Sequence, residues 1–538
     1  MTVNQNEEMK EILSGVCRSS RIRFAILAIA ALLIALIVAP AQNTSLPGGD
    51  IGQGTAPVAP PANTLINDNN GLNNCTFFTQ RTTSIVSSGS TIVCGFNDSG
   101  STSFGAHVTG WSRSADNGVT WTDGGQLPDS SFGDAGDPVL ARDDNTARIY
   151  FATVGLTDIN SIPVFRSDDD GVTWQAPVNG TPGGNGEDKE WLTVDNFQGS
   201  GNGNVYLVSR RASPEGINFY RSTDGGSTFA PGGGTPITPD SLSQGGFVTV
   251  SPDHAVHVYW YDGPSIQVRK STDQGVTFGP SSTVAVFVSE GGVNGDLGLT
   301  GTLNGGGSVA IPTNRFPHVA VNPVSGNIYV AYNDKINIAS PDKADIFFVQ
   351  STDGGATWSA PTQVNDDGTT TDQWEPGLVV SPAGDRLGVF YYSRQEDTVN
   401  NNLLKYYGRI GTVSGGTVTF APSFALSDTP SFPENRDTTP NPAFMFNYNQ
   451  AYATGDVFHV AWSDNRDDLT GCLPKKDPNC YYQSIALGNA TPTPTPTATP
   501  TVTPTATPTP TATPTPRATP TPRIVPSPRG RPTRRPRP

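Results

Sequence analysis

The segment SDDDGVTW at Ser167–Trp174 decides how this chain is read, because the same spelling returns at a steady interval. Its matches are SADNGVTW (Ser114–Trp121), STDGGSTF (Ser222–Phe229), STDQGVTF (Ser271–Phe278) and STDGGATW (Ser351–Trp358). The five obey S-x-D-x-G-x-T-[WF] and are spaced by 53, 55, 49 and 80 residues, the long interval holding a Gly-rich insertion near Ser289–Ser308. The carboxylates of Asp116, Asp169, Asp224, Asp273 and Asp353 are placed to accept N–H bonds inside a turn. Gly118, Gly171, Gly226, Gly275 and Gly355 allow the left-handed backbone such a turn needs. The closing Trp or Phe suits packing between sheets. A calcium loop is the rival reading of SDDDG, but the remaining ligands of an EF-hand are absent, so a structural role is expected and no metal or other cofactor.

Around each match lie short strand-like runs in a constant order. The second module reads DPVLA, RIYFATV, IPVFRS, the turn motif, then TWQAPV. The third reads KEWLTVD, NVYLVSR, INFYRS, STFAP, and FVTVSP and HVAVNP open two more. PGLVVSP and AYATG begin later modules that keep the strands and lose the motif, and TTSIVS opens an early one. A repeat near 50 residues made of four strands predicts an all-β chain, a β-propeller of six or seven four-stranded blades, seven by module count. The last module lacks a clear fourth strand, so the N-terminal segment is expected to close the ring by pairing there.

Composition agrees. With 59 Gly, 47 Pro and only 15% charged residues, the chain suits strands and tight turns, and no helical periodicity follows the N-terminus. Net charge is −15, yet the last 48 residues hold seven Arg and no acid. The body is therefore strongly acidic, which argues against a nucleic-acid partner.

The ends read as export and display elements. Arg18, Arg21 and Arg23 precede the apolar run Phe24–Ala39, and Ala39-Pro40-Ala41 offers a cleavage site after Ala41. Residues 1–41 are read as a signal peptide or an uncleaved anchor, with 24–39 as the membrane segment, and residues 42–70 as a linker. Residues 71–490 hold the propeller. Residues 491–538 form a Thr/Pro-rich stalk and a basic tail, RGRPTRRPRP, suited to cell-envelope contact. Both extensions are expected to be disordered, and the body to lie outside the cell or on its surface. For an exported chain, disulfides Cys75–Cys94 and Cys472–Cys480 are expected; zinc is rejected because there is no C-x-x-C spacing or nearby His.

The repeated motif resembles the Asp-box, or bacterial neuraminidase repeat, and residues 80–488 resemble the sialidase superfamily. The resemblance implies an active face built by the loops between blades (D–A) and between second and third strands (B–C). Those loops carry Asp134, Asp137, Asp188, Glu190, Arg315, Glu375 and Arg436, and Arg210, Arg211, Asp262, Asp334, Arg394, Glu396, Arg466 and Asp467. It further implies three arginines clamping a substrate carboxylate, for which Arg315, Arg394 and Arg466 are the candidates. Tyr391 or Tyr392 with Glu375 would be the nucleophile pair, and Asp137 or Asp188 the acid/base. The family's early Arg-Ile-Pro is missing, and the nearest early arginine is Arg81, in QRTTSIV. The resemblance therefore implies a propeller that binds, and in its enzymatic form hydrolyses, extracellular glycan or glycoprotein. The alternative is a catalytically inert scaffold for protein or envelope contacts.

Overall fold

Runs such as VYLVSRRA become strands buried on both faces, since a blade is sandwiched between two neighbours and leaves no wet side for polar alternation. Val205–Ala212 is buried at every position but its last, whereas the outer strand of the same sheet, Ala230–Pro236, is half-buried or exposed throughout. Burial thus falls from the axis outward.

The computed structural model describes residues 62–68, 79–238, 243–288, 295–303, 306–433, 448–468 and 476–488. They form seven antiparallel blade sheets whose innermost strands are Gln80–Ser88, Val139–Arg142, Glu187–Val194, Ser243–Val250, His318–Val321, Gln373–Val380 and Ala451–Thr454. We number the blades 1 to 7 in that order. The first six run outward as simple meanders, blade 6 gaining a short extra strand at Phe424–Ala425. Blade 7 is completed from the other end of the chain: Thr64 and Leu65 pair with Tyr482 and Tyr481 and supply its outer strand. The expected closure is thus realised, and the ring is seven-bladed. It also moves the start of the propeller, because Thr64–Leu65 falls inside the stretch expected to be linker. The apolar run 24–39, the Thr/Pro-rich stretch, the basic C-terminal residues and Arg436 lie outside the described residues.

All five Asp-boxes fold alike. In the third, the Ser222 hydroxyl donates to Asp224 Oδ1 at 2.7 Å and accepts the Gly226 N–H at 2.9 Å. Asp224 also accepts the Thr228 N–H at 2.9 Å and the Thr228 hydroxyl at 2.7 Å. Two consecutive left-handed residues make the bend, Asn117-Gly118, Asp170-Gly171, Gly225-Gly226, Gln274-Gly275 and Gly354-Gly355, as a tight hairpin turn requires. The closing aromatic reaches back to the preceding blade. Trp174 stands edge-on to Trp111 at 5.7 Å, Phe278 to Phe219 at 4.9 Å, and Trp358 to Tyr259 at 6.4 Å. Trp121 of blade 1 does the same to Tyr482 of blade 7 at 5.4 Å, which seals the ring.

That seam also holds two of the five cysteines. Cys94 and Cys480 are buried free thiols in the apolar cluster shared by blades 1 and 7, with Ile66, Ile85, Phe96 and Tyr482. Their expected partners, Cys75 and Cys472, lie outside the described residues, and both expected pairings with them.

Candidate functional site at the propeller axis

The innermost strands share a local device. Each of four enters with a bulge, between Arg81 and Ser84, Asp188 and Trp191, Gln244 and Phe247, and Trp374 and Gly377. Bulges re-aim side chains. Here they place Thr82, Lys189, Gly245 and Glu375 at φ of 57°, 48°, 64° and 58°, and Asp137 takes 56° at the matching place before the blade 2 strand. Only blade 4 uses glycine. Four non-glycine residues are thus held in left-handed backbone, a conformation side chains rarely adopt without surrounding support. Part of that support is visible: Asn97 Oδ1 accepts the Asp137 N–H, and Asn333 Oδ1 accepts the Glu375 N–H.

These bulges lie at the end of the ring opposite the Asp-boxes and gather charge on the axis. Glu190 is fully buried, and apart from its own backbone N–H neither carboxyl oxygen has a partner. Burial first, and the neighbouring charge of Asp137 next, raise its pKa well above the usual carboxylate range. Asp188 acts on it in the same sense. Tyr448, which donates to the Pro138 carbonyl at 2.9 Å, is raised by burial and then by Asp137, Glu190 and Asp188. The two expected acids, Asp137 and Asp188, therefore meet around Glu190 and Tyr448. Asp137 and Asp188 are half-buried. Burial thus favours the protonated form of Glu190, next to the half-buried Asp137 and Asp188.

Tyr448 also lines a cavity of ≈ 20 Å³, together with Lys189, Trp191, Phe247, Phe316 and Glu375 among others. That volume accommodates about one water molecule. It is small because side chains fill it: Trp191 stacks on Phe247 at 4.0 Å, and the Lys189 ammonium lies 4.9 Å from the Trp191 ring and 4.4 Å from that of Tyr448.

Glu375 and a tyrosine do come together, but the tyrosine is Tyr392. Asn449 Nδ2 donates to Tyr392 Oη at 3.0 Å and to Glu375 Oε1 at 3.4 Å, while Tyr392 donates to the Ser463 carbonyl at 2.6 Å. Burial, then the Glu375 charge, raise the Tyr392 phenol. Tyr391 points the other way, as successive strand residues must, and stacks on Tyr407 in the cluster between blades 5 and 6. Burial raises Glu375 well above its ordinary range, and the Arg81 charge works against this.

The three expected clamp arginines are each engaged locally. Arg315 lies 3.7 Å from Asp334, with its guanidinium over Phe287 at 4.9 Å. Arg394 donates to Asp372 at 3.1 Å and to the Thr300 carbonyl at 2.9 Å, over Trp374 at 5.1 Å. Arg466 donates twice to Asp464, at 2.8 and 2.6 Å, and covers Tyr481 at 3.9 Å. Each sits in its own blade with its own ring and carboxylate, which pins a loop. The Thr300 carbonyl belongs to the hairpin Leu299–Thr302 and Ser308–Ile311, carried by the insertion after blade 4. Asn402 holds it too, donating to the Thr302 carbonyl at 2.8 Å.

Lys189, Trp191, Tyr448 and the two asparagines were missed in the sequence. Their signals are present: Asp137-Pro138, Phe316-Pro317 and Glu375-Pro376 occupy matching places before the inner strands, and Asn97-Asp98 and Asn333-Asp334 both end second strands.

The chain is a seven-bladed β-propeller with five repeated S-x-D-x-G-x-T turns. It is similar in structure to a protein of unknown function from Dyadobacter fermentans, at 18% identity and TM-score 0.38, over 68% of this chain and 97% of that one. It is similar to a Hadza microbial sialidase at 17% identity and TM-score 0.38, over 65% of this chain and 66% of that one. An alpha-L-arabinofuranosidase of Fusarium graminearum, solved with arabinobiose, is similar at 15% identity and TM-score 0.38, over 62% of this chain and 93% of that one. No protein-family model and no curated protein matches the chain.

Proposed function

We propose that this is an exported, surface-displayed propeller that binds extracellular glycan at its axial mouth. The observation that carries the reading is the grouping of Asp137, Asp188 and Glu190 around Tyr448, where Asp137 and the intervening Lys189 are held in costly left-handed backbone. Half-buried carboxylates accept hydrogen bonds from neighbouring sugar hydroxyls, and aromatic rings offer flat apolar surface to a sugar face. Export and display rest on the apolar segment 24–39 and the Thr/Pro stalk.

Binding without sialoside hydrolysis is the form favoured by the arginines. A sialoside carboxylate would have to displace Asp334, Asp372 or Asp464 from partners already made. The test is a glycan array probed with the full-length protein, beside a fluorogenic sialoside assay. The expected result is glycan binding that is lost in Asp137→Ala with Asp188→Ala, and no sialoside turnover. A folded protein that binds no glycan would leave the scaffold reading in its place. Robust turnover abolished by Arg394→Ala would restore the sialidase assignment.

A further inference from the structure

Lys189 is an unusual tenant of a propeller axis. It is 4% exposed and stands on left-handed backbone. Its ammonium is enclosed by the rings of Tyr448 at 4.4 Å, Trp191 at 4.9 Å and Phe316 at 6.0 Å. Burying an ammonium is costly unless its charge is met. Ring faces meet it here by cation–π attraction. Glu375 lines the same cavity. The three rings come from blade 3, from the approach to blade 5 and from the approach to blade 7, so the enclosure is a product of the ring and not of one hairpin.

The matching residue of blade 4 is Gly245, where an added Cβ would stand 2.3 Å from the Phe316 ring. A side chain there would push Phe316 away, so the enclosure depends on the bare glycine. What is built is an aromatic box sized for one ammonium. Its present guest is tethered by a flexible four-carbon stem.

We propose that this box is the specificity subsite of the axial mouth and takes the ammonium of an amino sugar, a 2-amino-2-deoxyhexose unit with a free amine, with Lys189 as the internal guest that the ligand displaces. The proposal rests on the glycan-binding reading and adds the class of sugar. Asp137 and Asp188 at the mouth, and the acidic body as a whole, favour a cationic ligand over a sialoside or an N-acetylated sugar.

Two measurements on the full-length chain test it. The first uses Lys189→Gly, which suits the left-handed backbone and empties the box. Propylammonium should raise the melting temperature of this variant and leave the wild type unmoved, while propan-1-ol should do neither. Equal stabilisation by propan-1-ol would show an apolar hole without charge preference and overturn the proposal. The second compares chitosan with chitin oligosaccharides on the wild type, which decides the matter even if the variant does not fold. Chitosan should bind at least about tenfold more tightly, and Trp191→Leu, which leaves net charge unchanged, should remove the difference. Equal binding of the two overturns the amine preference while glycan binding stands. Chitosan binding indifferent to Trp191→Leu would be surface attraction and overturns the box. Propylammonium rescue with no saccharide bound would retain the box and remove the glycan reading.

Discussion

Asn333 of blade 5 accepts the backbone N–H of Glu375 in blade 6 at 3.1 Å, and Asn97 of blade 1 does the same for Asp137 of blade 2 at 2.6 Å. Each bond runs from the end of one blade's second strand to the left-handed residue that opens the next blade. Glu375 is thereby held in its backbone conformation by a neighbour and not by its own strand. Removing the acceptor strands a buried donor. Asn333→Ala should destabilise the fold by about 1–3 kcal/mol, read as a lower denaturant midpoint. Glu375→Gly in the same background should recover part of the loss, because glycine takes φ near 58° without strain. An unchanged midpoint in Asn333→Ala would show that the bond does not hold the bulge.

The Asp-box carboxylates act through hydrogen bonds in their turns. Slight burial pushes Asp224 upward, but bonds from Thr228, Ser222 and Ser227 outweigh it and hold the carboxyl at about 2. A folded-state pKa below the unfolded value of about 3.9 means stability that is whole above that pH and lost as pH falls toward 2. Asp224→Ala should cost about 1–3 kcal/mol at neutral pH and progressively less in acid, with calcium affinity unaltered. A specific loss of calcium binding in this variant would refute the structural role of the box.

Three histidines are held neutral. Burial depresses His459 and His257 to about 4, the latter with help from Lys270, and burial with Lys189 depresses His318 to about 3. His318 Nδ1 accepts the Leu378 N–H at 3.0 Å, so protonation there would break a bond between blades. With unfolded values near 6.5, their contribution is complete above that pH and declines as pH falls toward 4 and then 3. Glu190 and Glu375, raised by burial, bind protons in the folded state and act in the opposite direction. The histidine effect is therefore read as a difference: wild type should lose more stability than His459→Gln between pH 7 and pH 5. Parallel pH profiles would rule it out.

Thr64 and Leu65 close the ring with only two residues of pairing, reinforced by Ile66 in the seam and by Asn67, whose Oδ1 accepts the Cys480 N–H at 2.7 Å. Deleting residues 1–70 exposes the edge of Lys476–Ala486 and should lower the melting temperature by several degrees and promote association through that edge. A monomeric truncation melting with the full chain would show the closure to be dispensable.

Much of the propeller was legible because each blade repeats a local rule. The Ser, Asp, Gly and Thr of an Asp-box satisfy one another within eight residues, so five matches at a near-constant interval are enough to place four-stranded modules and to count seven. Strand order followed from short connections alone. The seam was half legible: a missing fourth strand in the last module pointed to the N-terminus, but the two residues that fill it carry no pattern of their own, and the propeller therefore begins inside the expected linker.

The site is another matter, because its parts touch only after the ring has closed. Nothing local distinguishes Tyr392, joined through Asn449 to Glu375, from Tyr391, which faces the next blade; the pleat and the register decide it. Arg315, Arg394 and Arg466 have the residue type for a carboxylate clamp, and only tertiary placement shows each already paired with its own aspartate. The Lys189 box unites residues from separate blades, more than 250 positions apart at the extremes of Lys189 and Tyr448. Sequence by itself determined the repeating unit, whose interactions span a few residues. The ring determined the raised pKa of Glu190, the company of Lys189 and the seam at Cys94 and Cys480, since burial and long-range electrostatics exist only once distant blades share one axis.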